Sequence, residues 1–152
     1  WVMRKNWDLR DRSQVDAYFA WAKPEYVIIA AAKVGGIHAN DNYSAEFIYE
    51  NTLVQTNLIH YSNLYKVKKF IFLGSVCIYP KYADTPVKEE ALLTGELEPT
   101  NEAYAVAKIH GIHMLKAYNK QYGMTLYDLN IKWHITDSHV EVLEIYPSER
   151  IG

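Results

Sequence analysis

Three features of the sequence predict a doubly wound α/β fold built on a parallel sheet. Two short runs rich in β-branched and aromatic residues, Tyr26 to Ala32 and Phe70 to Ser75, are apolar without alternation, the pattern of parallel strands covered on both faces. Between them, from Ser44 to about Leu64, apolar side chains return at Phe47, Ile48, Val54, Leu58 and Ile59, as one buried stripe of a long helix would. Strand, helix and strand in that order form a right-handed crossover unit. With 152 residues, 49% of them hydrophobic, the chain has material for the core of one domain.

The remaining elements follow from local chemistry. Trp1-Val2-Met3-Arg4 enters as if in mid-strand, so a preceding segment is expected upstream. Asp11 and Ser13 offer caps for a short helix through Val15, Tyr18, Phe19 and Trp21, which must end before Pro24 because proline lacks a backbone donor. Gly35-Gly36 closes the first strand, and residues 66–69 turn the chain into the second. Residues 79–101, with Pro80, Pro86 and Pro99, form a long irregular excursion of the kind that carries function. Glu102 to about Tyr122 reads as helix, favoured by Ala103, Ala105 and Ala107 and stopped by Gly123.

A net charge of -2 supplies no basic excess to neutralise phosphates, so neither nucleic acid nor a membrane surface is an expected partner. The apolar runs are far shorter than the roughly 18 to 20 residues of a membrane span. A lone cysteine, Cys77, excludes an internal disulfide and any paired-cysteine zinc spacing, and a cytoplasmic location is the expectation.

Ligands of doubly wound sheets bind outside the carboxyl ends of the strands, which directs attention to residues 32–36 and 74–79. Gly35, Gly36 and Gly74 would let a ligand approach the backbone there, although each taken singly is equally well an ordinary turn glycine. Tyr104 and Lys108 lie four apart on one helical face, where an ammonium beside a phenol favours the phenolate and makes Tyr104 an acid/base candidate. With 13 tyrosines in the chain that spacing alone is weak, and Ser75 is what strengthens it. A hydroxyl at the end of a buried strand can hydrogen-bond a substrate oxygen that the tyrosine protonates while hydride reaches carbon.

Serine followed by YxxxK is the signature of short-chain dehydrogenases, and longer strings narrow it. Ala-Ala-Ala-Lys-Val-Gly-Gly-Ile (30–37), Leu-Gly-Ser-Val-Cys-Ile-Tyr-Pro (73–80) and Leu-Glu-Pro-Thr-Asn-Glu-Ala-Tyr-Ala-Val-Ala-Lys (97–108) resemble the GDP-L-fucose synthases, extended short-chain dehydrogenases that belong with the NAD-dependent epimerases and dehydratases. The resemblance runs from about Arg4 to Gly123. It implies a Rossmann-like domain, NADPH as cofactor, epimerisation and reduction of a GDP-4-keto-6-deoxymannose, and pairing into homodimers through the long helix from Ser44. By the same resemblance Ser75, Tyr104 and Lys108 are the reducing triad and Cys77 an acid/base that moves protons beside the keto group. Arg4 matches the arginine against the cofactor's 2′-phosphate, a bidentate role for which guanidinium is well shaped. Asp8 and Leu9 match the adenosine end of the site; Ala31, Ala32 and Lys33, with Leu73, Gly74, Ser75 and Val76, match its nicotinamide and ribose end, where Lys108 also contributes.

The chain also departs from that pattern. The first strand and the GxxGxxG turn, which seats pyrophosphate on a helix N-terminus, are absent from the sequence, so an incomplete sheet and weak cofactor affinity are expected. After Gly123 the family's Pro-Thr-Asn-Leu-Tyr-Gly is replaced by Met124-Thr125, and Tyr127-Asp128-Leu129-Asn130 resembles a later family segment, as an internal deletion would produce. His139 stands in a Ser-His-Val like that of the family's partner acid/base, but its surroundings do not match and it is kept outside the catalytic set. Residues 1–123 are therefore expected to form a partial cofactor-binding domain and residues 124–152 a divergent tail. The alternatives are a non-catalytic remnant or an interaction module that binds an intact homologue, and an epimerase or dehydratase of another nucleotide sugar.

Overall fold

The computed structural model describes residues 6–125 and, as backbone, two further strands within residues 129–147. Arg4 and His139 lie outside the described residues. Helix α1, Arg12–Ala22, starts where expected: the Asp11 carboxylate accepts hydrogen bonds from the backbone N–H groups of Ser13 (2.8 Å) and Gln14 (3.4 Å). It ends at Lys23, whose left-handed φ of 44° turns the chain before Pro24. Val15, Tyr18 and Phe19 are its buried face.

Strand β1, Tyr26–Ile29, pairs in parallel with β2, Lys69–Phe72, with Tyr26 opposite Lys69 and Ile29 opposite Phe72. Both are shorter than the apolar runs that predicted them. One more bond, Leu73 N–H to Ile29 O (3.2 Å), continues the pairing, after which the chain is held by a side chain instead. Asn51 accepts from the Lys33 N–H (2.7 Å) and donates to the Lys33 carbonyl (3.1 Å), satisfying the backbone without a ladder. The expectation of a strand covered on both faces is also corrected. Ile29 is 1% exposed, but Tyr26 and Ile28 are 60% and 63% exposed, so only one face of β1 is packed by the described residues.

Behind that packed face lie α3, Ser44–Leu64, and α4, Glu102–Tyr122, two long helices in contact along their lengths. Leu58, Ile59 and Tyr61 of α3 and Leu115 of α4 join Phe19, Ile29 and Phe70 in the core. The predicted stripe of α3 is only half right: Ile48 is exposed, whereas Asn51, Gln55, Asn57 and Ser62 are buried. Two of those buried amides act as tethers: the Asn57 side chain donates to the carbonyls of Leu9 (3.0 Å) and Arg10 (3.1 Å) as Asn51 does to Lys33. Gly111 lets α4 approach: a Cβ there would lie 2.5 Å from Gln55 Oε1 and 2.7 Å from Phe72 Cζ. The left-handed Gly123 closes α4 as predicted.

A short helix that the sequence did not announce, α2 (Ile37–Asn42), follows Gly36. The excursion 79–101 is irregular, interrupted by single turns at Glu89–Ala91 and Pro99–Asn101 and latched by a Lys81–Glu98 ion pair of 2.8 Å. Beyond residue 125, strands β3 (Leu129–Ile135) and β4 (Val140–Pro147) form a separate antiparallel pair with a register irregularity between Lys132 and Trp133. Among the described residues no helix is long and apolar enough to cross a membrane.

Candidate active site

Beyond the carboxyl ends of β1 and β2 the loop from Leu73 meets the first two turns of α4. The Val76–Ile78 turn brings the Cys77 thiol to the Ser75 hydroxyl, and Sγ donates to Oγ at 3.1 Å. Tyr104 joins them across a cavity of about 200 Å³ whose wall also includes Val34, Gly35, Asn40 and Asn101. One turn further along α4, Lys108 is 3% exposed; its ammonium donates to the Leu73 carbonyl at 2.9 Å. That nitrogen sits 4.8 Å from the centre of the Phe72 ring and 5.8 Å from that of Tyr104. The four residues of the predicted catalytic set are therefore neighbours, drawn from one loop and one helix.

The electrostatics differ from the expectation that the ammonium would favour a phenolate. Burial, followed by the negative charge Cys77 would carry, pushes the Tyr104 phenol above its ordinary range, and only the Ser75 hydroxyl pulls the other way. Burial likewise pulls the Lys108 ammonium below the ordinary lysine range. As arranged, Tyr104 is a proton donor at neutral pH. A half-buried acid beside a thiol and a hydroxyl can protonate a carbonyl oxygen held in the cavity.

Asn40 and Asn101 were missed by sequence reasoning. Asn40, 8% exposed, donates through Nδ2 to the carbonyls of Gly35 (2.8 Å) and Gly36 (3.1 Å), while its Oδ1 and that of Asn101 are buried without a hydrogen-bond partner. Asn101 had a visible signal: it occupies the N-cap of α4, yet makes no side-chain cap bond. Asn40 had none, because α2 was not foreseen.

A second, larger cleft of about 620 Å³ lies between the segment before α1 and the end of β1. Asp8, Leu9, Ala31, Ala32 and Lys33, five of the predicted cofactor residues, line it together with Arg10, Glu50 and Val54. Arg10 grips Asp8 with two hydrogen bonds of 2.9 Å and reaches Glu50 at 3.1 Å, which holds the Asp8 carboxyl down at about 2. Lys33 pairs with Glu46 and, at 2.7 Å, with Glu50. Of the other predicted residues, Leu73 supplies its carbonyl to Lys108, Val76 is exposed, and a Cβ added at Gly74 would meet nothing within 4 Å.

Alanines at 31 and 32 put only small side chains on the cleft wall, and the buried Lys108 ammonium uses one of its three donors on Leu73.

Residues 4–134 match the model of the NAD dependent epimerase/dehydratase family. The chain is 52% identical over 141 residues to GDP-L-fucose synthase 1 of Arabidopsis thaliana, covering 88% of this chain and 44% of that protein. It is 46% identical over 145 residues to GDP-L-fucose synthase of Escherichia coli (strain K12), covering 90% and 45%. The chain thus spans less than half the length of the curated relatives it matches. Among solved structures it superposes with a TM-score of 0.78 on a GDP-D-glycero-L-gluco-heptose synthase from Campylobacter jejuni in the presence of NADPH, at 42% identity and covering 83% of this chain and 37% of that one. A GDP-L-fucose synthetase from Naegleria fowleri bound to NADP gives a TM-score of 0.68 at 32% identity, covering 79% and 37%. With the family model matched over most of its length and the Ser75, Tyr104 and Lys108 signature gathered at the strand ends, this chain belongs to the NAD dependent epimerase/dehydratase family.

Proposed function

We propose that the chain carries the acid/base residues and part of the cofactor cleft of a GDP-L-fucose synthase type of enzyme, which epimerises and reduces GDP-4-keto-6-deoxy-D-mannose. The observation that carries this reading is the convergence of Cys77, Ser75 and Tyr104 on one cavity, with the buried Lys108 behind them. In this reading Cys77 exchanges protons at the carbons beside the keto group. Ser75 then donates a hydrogen bond to the keto oxygen, and Tyr104 delivers its proton there as that oxygen gains charge. NADPH supplies the hydride that reduces the carbonyl carbon. Lys108 orients the cofactor ribose, and Asp8, Leu9, Ala31, Ala32 and Lys33 line its adenosine and ribose path. By its match to the family pattern, Arg4 is the residue we assign to the 2′-phosphate.

The substrate class rests on the relatives' names, all GDP-linked sugars among those cited. Residues 1–123 act as the partial cofactor-binding unit and 124–152 as a tail of different character. The working form is a cytoplasmic homodimer.

Titration of the purified chain with NADPH, followed by nicotinamide fluorescence and with circular dichroism to check folding, tests the cofactor assignment. Saturable binding is expected, and K108M should weaken it about tenfold, roughly the value of one charge-assisted hydrogen bond. A folded chain that shows no saturable binding, or one indifferent to K108M, refutes it.

A further inference from the structure

Every positive charge that lines the 620 Å³ cleft within the described residues is already neutralised. Arg10 lies against Asp8 and Glu50, and Lys33 against Glu46 and Glu50. Glu50, on the third helix, is the one carboxylate shared by both cations, contacting Arg10 with Oε2 and Lys33 with Oε1. It lines the cleft, whereas Glu46 does not. Glu50 is not required to hold the two walls in place. The backbone of Leu9 and Arg10 is tied by Asn57, and that of Lys33 by Asn51, all through uncharged bonds from the same helix.

We infer that Glu50 is a specificity-determining residue of this cleft: by balancing Arg10 and Lys33 together it makes the wall accept hydroxyl-bearing nucleoside parts of a ligand and reject phosphate. The inference rests on the cofactor reading above for the identity of the natural ligand, but its charge argument does not. An anion entering the cleft meets Asp8 and Glu50 against Arg10 and Lys33, with Glu46 also on Lys33, so among the described residues nothing concentrates phosphate there. A ribose hydroxyl, by contrast, finds carboxylate acceptors already oriented by their guanidinium and ammonium partners. Removing the charge at position 50 leaves Arg10 with Asp8 and Lys33 with Glu46, which does not line the cleft, so the lining becomes one unit more positive and admits an anion more readily.

The test uses inorganic pyrophosphate as the probe, titrated calorimetrically against the wild-type chain, E50Q, E50D and E46Q, with circular dichroism confirming that each is folded. E50Q is isosteric and is expected to bind pyrophosphate about three- to tenfold more tightly than wild type, the effect of one unit charge at close range in a partly solvated cleft. E50D keeps the charge and should stay at the wild-type value, and E46Q, outside the cleft, should gain less than E50Q. No gain in E50Q, a loss in E50Q, or the same gain in E50D would overturn the inference, the last two because they would mean that Glu50 acts through geometry. A parallel NADPH titration separates the two claims. A wild type that ignores NADPH while E50Q gains pyrophosphate affinity sinks the cofactor reading and leaves the role of Glu50 standing.

Discussion

Replacing Gly111 with alanine sets two opposing effects against each other at the point where α4 crosses α3. In an exposed helix the change would stabilise the chain by about 1 kcal/mol, because glycine loses more backbone freedom on folding than alanine. Here the new methyl group would fall 2.5 Å from Gln55 Oε1, 2.7 Å from Phe72 Cζ and 3.2 Å from Phe72 Cε1. Gln55 ends in a flexible amide but is 0% exposed, and neither of its amide atoms has a hydrogen-bond partner. Phe72 can move only by shifting the ring that Lys108 packs on. Overpacking of this kind costs about 1 to 3 kcal/mol, and two contacts under 3.0 Å argue for the upper half of that range. The balance is a loss of about 1 to 2 kcal/mol, which at about 4 °C per kcal/mol for a chain of this size lowers Tm by roughly 4 to 8 °C. Thermal melts followed by circular dichroism measure it. A Tm that rises, as helix propensity alone demands, would refute the packing argument at this crossing.

Two titrations test the electrostatics of the sites. Asp8 is held at about 2 first by its side-chain hydrogen bond from Arg10, so its folded-state value lies below the ordinary 3.8. A depressed carboxyl stabilises the fold fully above the ordinary value and loses that contribution as pH falls through about 2; carboxyl NMR should show Asp8 ionised down to that range, and R10A should return it toward 3.8. Tyr104 is displaced upward from 10.0, chiefly by burial, so the stability linked to its neutral form persists below pH 10.0 and declines only as pH rises through the higher folded value. The phenolate absorbance of wild type minus that of Y104F should therefore titrate above 10.0, and a component appearing at or below it would count against the burial of that hydroxyl.

The long elements were legible because periodicity over many residues is a strong signal: α3 and α4 begin and end where their apolar patterns and Gly123 place them. The strands were legible as types but not in extent, since an apolar run continues past Ile29 whereas the ladder stops where Asn51 captures Lys33. No local pattern announces that capture, because it joins residues eighteen apart through a side chain that reads as surface polar. The same blindness concealed Asn40, Asn57 and Gln55. Ser75, Cys77, Tyr104 and Lys108 were found through a spacing that acquires meaning only when strand end and helix start meet, as they do around the small cavity. Arg10 and Glu50 were overlooked because a charged residue beside other charged residues is most often a solvated face.

The arrangement explains how the two parallel strands of the described residues, by themselves a weak platform, can hold the groups of the candidate site in register. Tyr104 and Lys108 ride on a 21-residue helix keyed into α3 at Gly111, so their positions depend on helix packing more than on the sheet. Ser75 and Cys77 belong to a loop, and the same Lys108 that accompanies Tyr104 ties that loop down through the Leu73 carbonyl. The buried ammonium is costly, which is why its pKa falls, and its compensation is that carbonyl and the face of Phe72, both from the end of β2. One side chain thereby sets the distance between the proton donor on the helix and the hydroxyl and thiol on the loop. A group placed to do this constrains the geometry of the cavity, and any substitution that spares the helix but loses the charge should loosen the loop while leaving Tyr104 where it is.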